Sequence, residues 1–218
     1  MLTVTSPATT TNLAQLATVK TLLGLTDASQ DAVLTLLIGQ ASDTITDYCN
    51  VGCFAQQSYS ETVRGYGTNQ LALSRTPIVT LTSVALDGTL VPTTQYELDD
   101  PAAGMIQGIV PWLWTAEIRV DLFLYGASAL PRSEQYRYTV VYTAGYNLPG
   151  DTLQSTPLPR AIEHACVNTV TAWYVARYRD PYLKGATVGD QTLSYAQEDG
   201  SLPPRARALL APYVRYSV

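Results

Sequence analysis

Cys49, Cys53 and Cys166, with the single histidine His164, are the residues whose types could support metal or nucleophilic chemistry. Cys49 and Cys53 stand in a C-x3-C spacing, but a tetrahedral zinc site needs four soft or imidazole ligands, and no convincing fourth accompanies them. The three cysteines are better read as small buried hydrophobes suited to a reducing compartment. Ser-His-Asp catalysis would need His164, which falls inside a helical pattern between Glu163 and Ala165 with no nucleophile motif around it. Gly65, Gly67, Gly185 and Gly189 lack the spacings that cradle phosphate, so they read as turns. Asp87-Gly88 and Asp99-Asp100-Pro101 offer carboxylates to a cation, yet both are ordinary turn chemistry. Trp112, Trp114, Trp173 and the tyrosines could stack on bases or sugars. Without a basic groove, core packing or protein contact is the preferred role. Catalytic, cofactor-binding and metal residues are therefore all expected to be none, and the chain is not expected to be an enzyme.

The elements that carry these residues follow from hydrophobic spacing. After a Thr-rich arm over residues 1–12, extended or ordered against a neighbouring subunit, Leu13, Leu16, Val19 and Leu23 recur at helical intervals, with Gly24 as a C-terminal cap. Asp27 and Gln30 stand at capping-box spacing before a second helix. One face of it carries Leu34, Leu37, Ile38, Ala41, Ile45 and Tyr48, widened by Val33 and Leu36. From Gln57 the period changes to two, and Tyr59, Glu61 and Val63 share one strand face. Short strands then follow, separated by turn signals such as Asp87-Gly88. Over 118–125 Ile118, Val120, Leu122 and Leu124 alternate with Arg119, Asp121, Phe123 and Tyr125. Tyr138, Val140 and Tyr142 mark a further strand, after which a proline-marked crossing leads to a helix over 159–180, with Pro159 at its first position. Ile162, Cys166, Thr169, Trp173 and Ala176 form its apolar face. A small hairpin over 187–195 and a short helix over 205–210 complete the chain.

The expected fold class is α+β: a helical bundle made of the N-terminal helices and the long helix, with an inserted, mainly antiparallel β domain. The division is 1–56 for the arm and helical hairpin, 57–146 for the β domain, and 147–218 for the long helix, hairpin and C-terminal tail packing with the N-terminal helices. A net charge of −5 and only two lysines, Lys20 and Lys184, argue against a surface that grips phosphates. Charged residues are 14% of the chain, against about 25% in ordinary soluble proteins, so much of the surface is uncharged or covered. The longest apolar run, 33–38, is too short to span a bilayer, and residues 1–12 lack the basic and apolar regions of a secretory signal.

The order of signals carries a further reading. VKTLLGL, DAVLTLLIGQASDTITDYC, LALSRTPIVTLTSVALDG, QYELDDPAAGMI, YTVVYTAGY, PLPRAIEHACVNTVTAWYVARYRD, VGDQTLSY and LLAPYVRY occur in an order that resembles the head-to-tail connector (adaptor) proteins of tailed double-stranded DNA bacteriophages, over about residues 16–216. The resemblance implies a structural virion protein without catalytic activity or cofactor, made in the host cytoplasm and placed in the neck between capsid vertex and tail. It implies a ring of roughly twelvefold symmetry below the portal protein, extending a channel through which DNA passes without specific binding. A stopper or tail-tube-end protein would dock below it, and no membrane is involved. It also implies a portal-gripping C-terminal segment, in which Tyr213, Val214, Arg215 and Tyr216 are the candidate interface residues. Segment 111–135 is longer than the family pattern leads one to expect. The alternative is a tail-associated or carbohydrate-binding module using exposed Trp and Tyr residues.

Overall fold

The computed structural model describes residues 1–113, 137–151, 156–177 and 202–215, together with the backbone strands 185–188 and 191–194. It is a mixed α+β protein. Its contacts divide it into two units, one of Met1–Thr9 with Gln56–Tyr146, the other of Thr10–Ala55 with Asn147–Val218. The expected strand over 118–125, Trp114 and Tyr216 lie outside the described residues.

The β unit holds a five-stranded antiparallel sheet in the order β1-β2-β8-β4-β5. These strands are β1 (Leu2–Ser6), β2 (Gln57–Val63), β4 (Ile78–Leu86), β5 (Thr89–Leu90) and β8 (Tyr138–Ala144). A second sheet, β3-β7-β6, is made of β3 (Gln70–Ala72), β6 (Tyr96–Asp100) and β7 (Met105–Gly108). The period-two pattern works as it should in β8: Tyr138, Val140, Tyr142 and Ala144 are buried, while Thr139, Val141 and Thr143 between them are half-buried. Those inward residues join Tyr59, Leu71, Ile78, Val84, Ile106 and Trp112 in one cluster drawn from both sheets. Asp87 (φ 48) and Gly88 (φ 83) make the tight turn between β4 and β5, as their sequence predicts. Residues Leu2–Ser6 of the arm form strand β1, antiparallel to β2, and so group with the β unit.

The helical unit contains α1 (Leu16–Leu23), α2 (Asp31–Tyr48), α3 (Arg160–Ala176) and α4 (Pro204–Leu210). Helices α1, α2 and α3 pack on one another, and α4 packs on α3. Val19, Leu34, Ile38, Ala41 and Ile45 are buried with Ile162, Ala165, Cys166 and Val170. Each large member contributes about 1.5–3 kcal/mol by leaving water. Gly24 ends α1 in the left-handed conformation, with its N–H near the carbonyls of Lys20 and Thr21. Ser42 pins the entry to the bundle: its hydroxyl donates to the Ile38 carbonyl at 2.7 Å and accepts the Leu13 N–H at 2.9 Å.

Four local expectations are corrected. The capping box is not formed: α2 starts at Asp31 with Gln30 before it, the Ser29 hydroxyl satisfies the Asp27 carboxylate at 2.5 Å, and Lys20 pairs with Asp31 at 2.6 Å. Pro159 precedes α3 with extended ψ (128°) and is not its first residue, whereas Pro204 does open α4. Leu36 is 62% exposed, which places it outside the buried face of α2. Leu13, although buried, precedes α1 and is not a helical residue. The hairpin expected near 187–195 is present as β9 (Gly185–Val188) and β10 (Gln191–Ser194), paired antiparallel.

Candidate functional site

The cysteines sit apart in chemistry and place. Cys49 and Cys166 are fully buried, Cys53 is half-buried, and all three are free thiols. Burial pushes the Cys166 thiol up to about 12 and the Cys49 thiol to about 11. Such thiols are poor nucleophiles and poor metal ligands, because both roles need the thiolate. Among the described residues no three His, Cys, Asp or Glu side chains gather as a metal cage. His164 lies on the exposed side of α3.

Two of the carboxylates suggested for a cation accept main-chain N–H groups, Asp100 within its own turn and Asp87 from a residue fifty positions on. Asp100 Oδ1 accepts the N–H groups of Ala102 and Ala103 at 2.9 and 3.0 Å, and Asp87 Oδ1 accepts the Arg137 N–H at 2.9 Å. Trp112, a possible stacking residue, is buried; its Nε1 donates to the Asn69 carbonyl at 3.0 Å and its ring meets Tyr138 edge-on at 5.1 Å. Trp173 is half-buried on α3.

One polar centre escaped the sequence reading. Glu61, on β2, is 5% exposed and faces the β-unit core. Tyr142 Oη donates to Glu61 Oε2 at 2.6 Å, the Ser74 N–H donates to the same oxygen at 3.0 Å, and the Ser74 hydroxyl donates to Oε1. Burial, then the bond to Glu61, holds the Tyr142 phenol well above its usual range. The signal was legible: Glu61 shares a period-two face with Tyr59 and Val63. An acid on an inward face demands donors. Its partners are the buried Tyr142 hydroxyl and, from the exposed Ser74, a hydroxyl and a main-chain N–H, so the centre ties β2 to β8 and to the segment after β3.

The C-terminal candidates form the end of the helical unit. After α4, a 3-10 turn at Ala211–Tyr213 brings the chain to the end of α2, where the Arg215 N–H donates to the Cys49 carbonyl at 2.9 Å and Asn50 Nδ2 donates to the Arg215 carbonyl at 3.2 Å. Tyr213, Val214 and Arg215 are thereby brought together, each half-buried. Their backbone is fixed while part of each side chain faces solvent. Tyr216 lies outside the described residues.

Comparison with known proteins bears on this arrangement. No curated protein matches the chain. Two solved structures share its fold over the whole length. A chain from the neck of an empty GTA particle computed with C6 symmetry has TM-score 0.58 and 17% identity, covering 100% of this chain and 97% of its own. A chain from the virion of a native gene transfer agent (GTA) particle has TM-score 0.57 and 16% identity, with the same coverage. Residues 13–82, which span α1, α2, β2, β3 and the first half of β4, match the family model described as "Phage gp6-like head-tail connector protein". Over these residues, about a third of the chain, the protein is similar to the phage gp6-like head-tail connector family.

Proposed function

We propose that this protein is a head-to-tail adaptor of the virion neck, assembled as a ring of about twelve copies under the portal protein. The ring extends the DNA channel, and its far side docks a stopper or tail-tube-end protein. Tyr213, Val214, Arg215 and Tyr216 form the portal-facing segment. In this reading the helical unit, a bundle of 10–55 with 147–218, builds the ring; by sequence the parts are 1–56, 57–146 and 147–218.

The observation that carries the proposal is the connector match over residues 13–82. Support comes from the full-length likeness to a chain of a neck computed with C6 symmetry, which a ring of about twelve copies would satisfy because it contains sixfold rotations. The net charge of −5 suits a wall past which DNA must slide, since clustered Lys and Arg would hold the polymer by counterion release. The burial of Trp112 removes one aromatic from the alternative, a carbohydrate-binding module.

Electron microscopy of the purified protein, alone and mixed with its portal, tests the reading. Closed rings in either sample are expected. Their absence from both would remove the adaptor assignment.

A further inference from the structure

Strand β1 is the least committed element of the β unit. It lies at the edge of the five-stranded sheet, bonded only to β2, with Thr3 opposite Ser60 and Val4 opposite Tyr59 before the register slips at Ser6. Of its five residues only Leu2 is even half-buried; Thr3, Val4, Thr5 and Ser6 are exposed. A strand whose one core contact is Leu2 is specified mainly by ladder hydrogen bonds, and any identical strand makes the same bonds and the same contact. Residues 7–12, which follow, are irregular and alternate between exposed and half-buried, and the chain is next fixed at Leu13, buried and bonded to Ser42. Six extended residues reach about 20 Å, so β1 has a tether whose anchor is separate from its docking edge.

We propose that β1 is exchanged between copies: the β1 of one subunit pairs with β2 of its neighbour in the register seen within the chain. The proposal rests on the ring reading, because a ring holds the neighbouring β2 at a constant short distance. Exchange swaps identical hydrogen bonds, so the intrinsic free-energy change is close to zero and effective concentration, on the order of millimolar for short tethers, decides the outcome. The arm then clasps successive subunits without requiring any new contact chemistry.

Two single variants, tagged T3C and untagged S60C, test this when co-expressed and oxidised mildly in the sample examined by electron microscopy. The facing positions of an antiparallel pair lie within disulfide reach. The parent chain, with Cys49, Cys53 and Cys166, sets the background. A covalent dimer of one tagged and one untagged chain is expected, and this bond can form only between chains. In the double variant T3C/S60C, exchange gives a ladder of covalent oligomers. Closure only within each chain, with no mixed dimer, overturns exchange; so does failure to form either bond, which would also contradict the β1–β2 register. Rings without the mixed dimer sink the exchange and leave the adaptor reading standing. A mixed dimer without rings supports the exchange and counts against the ring.

Discussion

At the residue scale, the chemistry is directed inward. Glu61 is a carboxylate among Tyr59, Tyr142 and Val140, tolerated because three donors face it. Removing the acceptor takes away the carboxylate to which the buried Tyr142 hydroxyl donates. Glu61→Ala is expected to lower stability by about 1–3 kcal/mol and Glu61→Gln, which keeps an acceptor oxygen, by clearly less; urea unfolding measures both. Equal losses would mean that volume, and not the polar centre, matters. The thiols predict a pH dependence. The unfolded thiols titrate near 9.0, whereas burial moves Cys49 to about 11 and Cys166 to about 12 in the folded chain. The folded state thus holds these protons longer. Their contribution is complete below pH 9 and is lost as pH rises toward 12, because only the unfolded chain releases protons in that window. Urea midpoints compared between pH 8 and about pH 10.5 should fall, and Cys166→Ala should show a shallower fall. An identical slope in the variant would refute the assignment to Cys166.

At the scale of elements, Gly24 offers a clean test of what ends α1. Its φ is 69°, and a Cβ added there would meet nothing within 4 Å, so Gly24→Ala isolates backbone strain. The expected loss is about 1–2 kcal/mol, read as a lower thermal midpoint. Gly65 is the contrasting case: an added Cβ would lie 2.2 Å from the Leu113 carbonyl oxygen, so Gly65→Ala must move backbone and should cost more than Gly24→Ala. Helices and strands with one buried face were legible because period and burial agree: Leu34, Ile38, Ala41 and Ile45 in α2, and Tyr138, Val140 and Tyr142 in β8. Element starts were less so. Asp27 and Gln30 have capping-box spacing, yet the Lys20–Asp31 pair and the Ser29–Asp27 bond accompany a helix that begins four residues after Asp27. Leu36 fits the apolar stripe of α2 by type and is exposed, because periodicity cannot say how wide a face its neighbours cover. Strand β1 was legible only as an extended arm, since its Thr-rich residues bury no face and its partner β2 lies more than fifty positions away.

At the scale of the whole molecule, the sequence of signals carried information that no single site did. Among the described residues, Asp87, Asp100, Glu61, Cys49 and Cys166 are engaged in turns and cores. The C-terminal segment is the surface whose role can be tested most directly. Its backbone is tied at Cys49 and Asn50 through Arg215, but the Arg215 and Tyr213 side chains are only half-buried. Interfaces draw much of their strength from a few Arg and aromatic anchors, each worth about 2 kcal/mol or more. Arg215→Ala leaves both backbone hydrogen bonds in place and should weaken binding to the portal about tenfold or more, with little change in the unfolding midpoint. Deleting residues 212–218 removes the anchors together with the tie to α2, so it should abolish portal binding and also lower stability modestly. Titration of each variant against purified portal separates these effects. If Arg215→Ala and the deletion both bind portal as tightly as the parent chain, the portal contact lies elsewhere, and the exposed Leu36 and Val175 of the helical unit become the next positions to substitute.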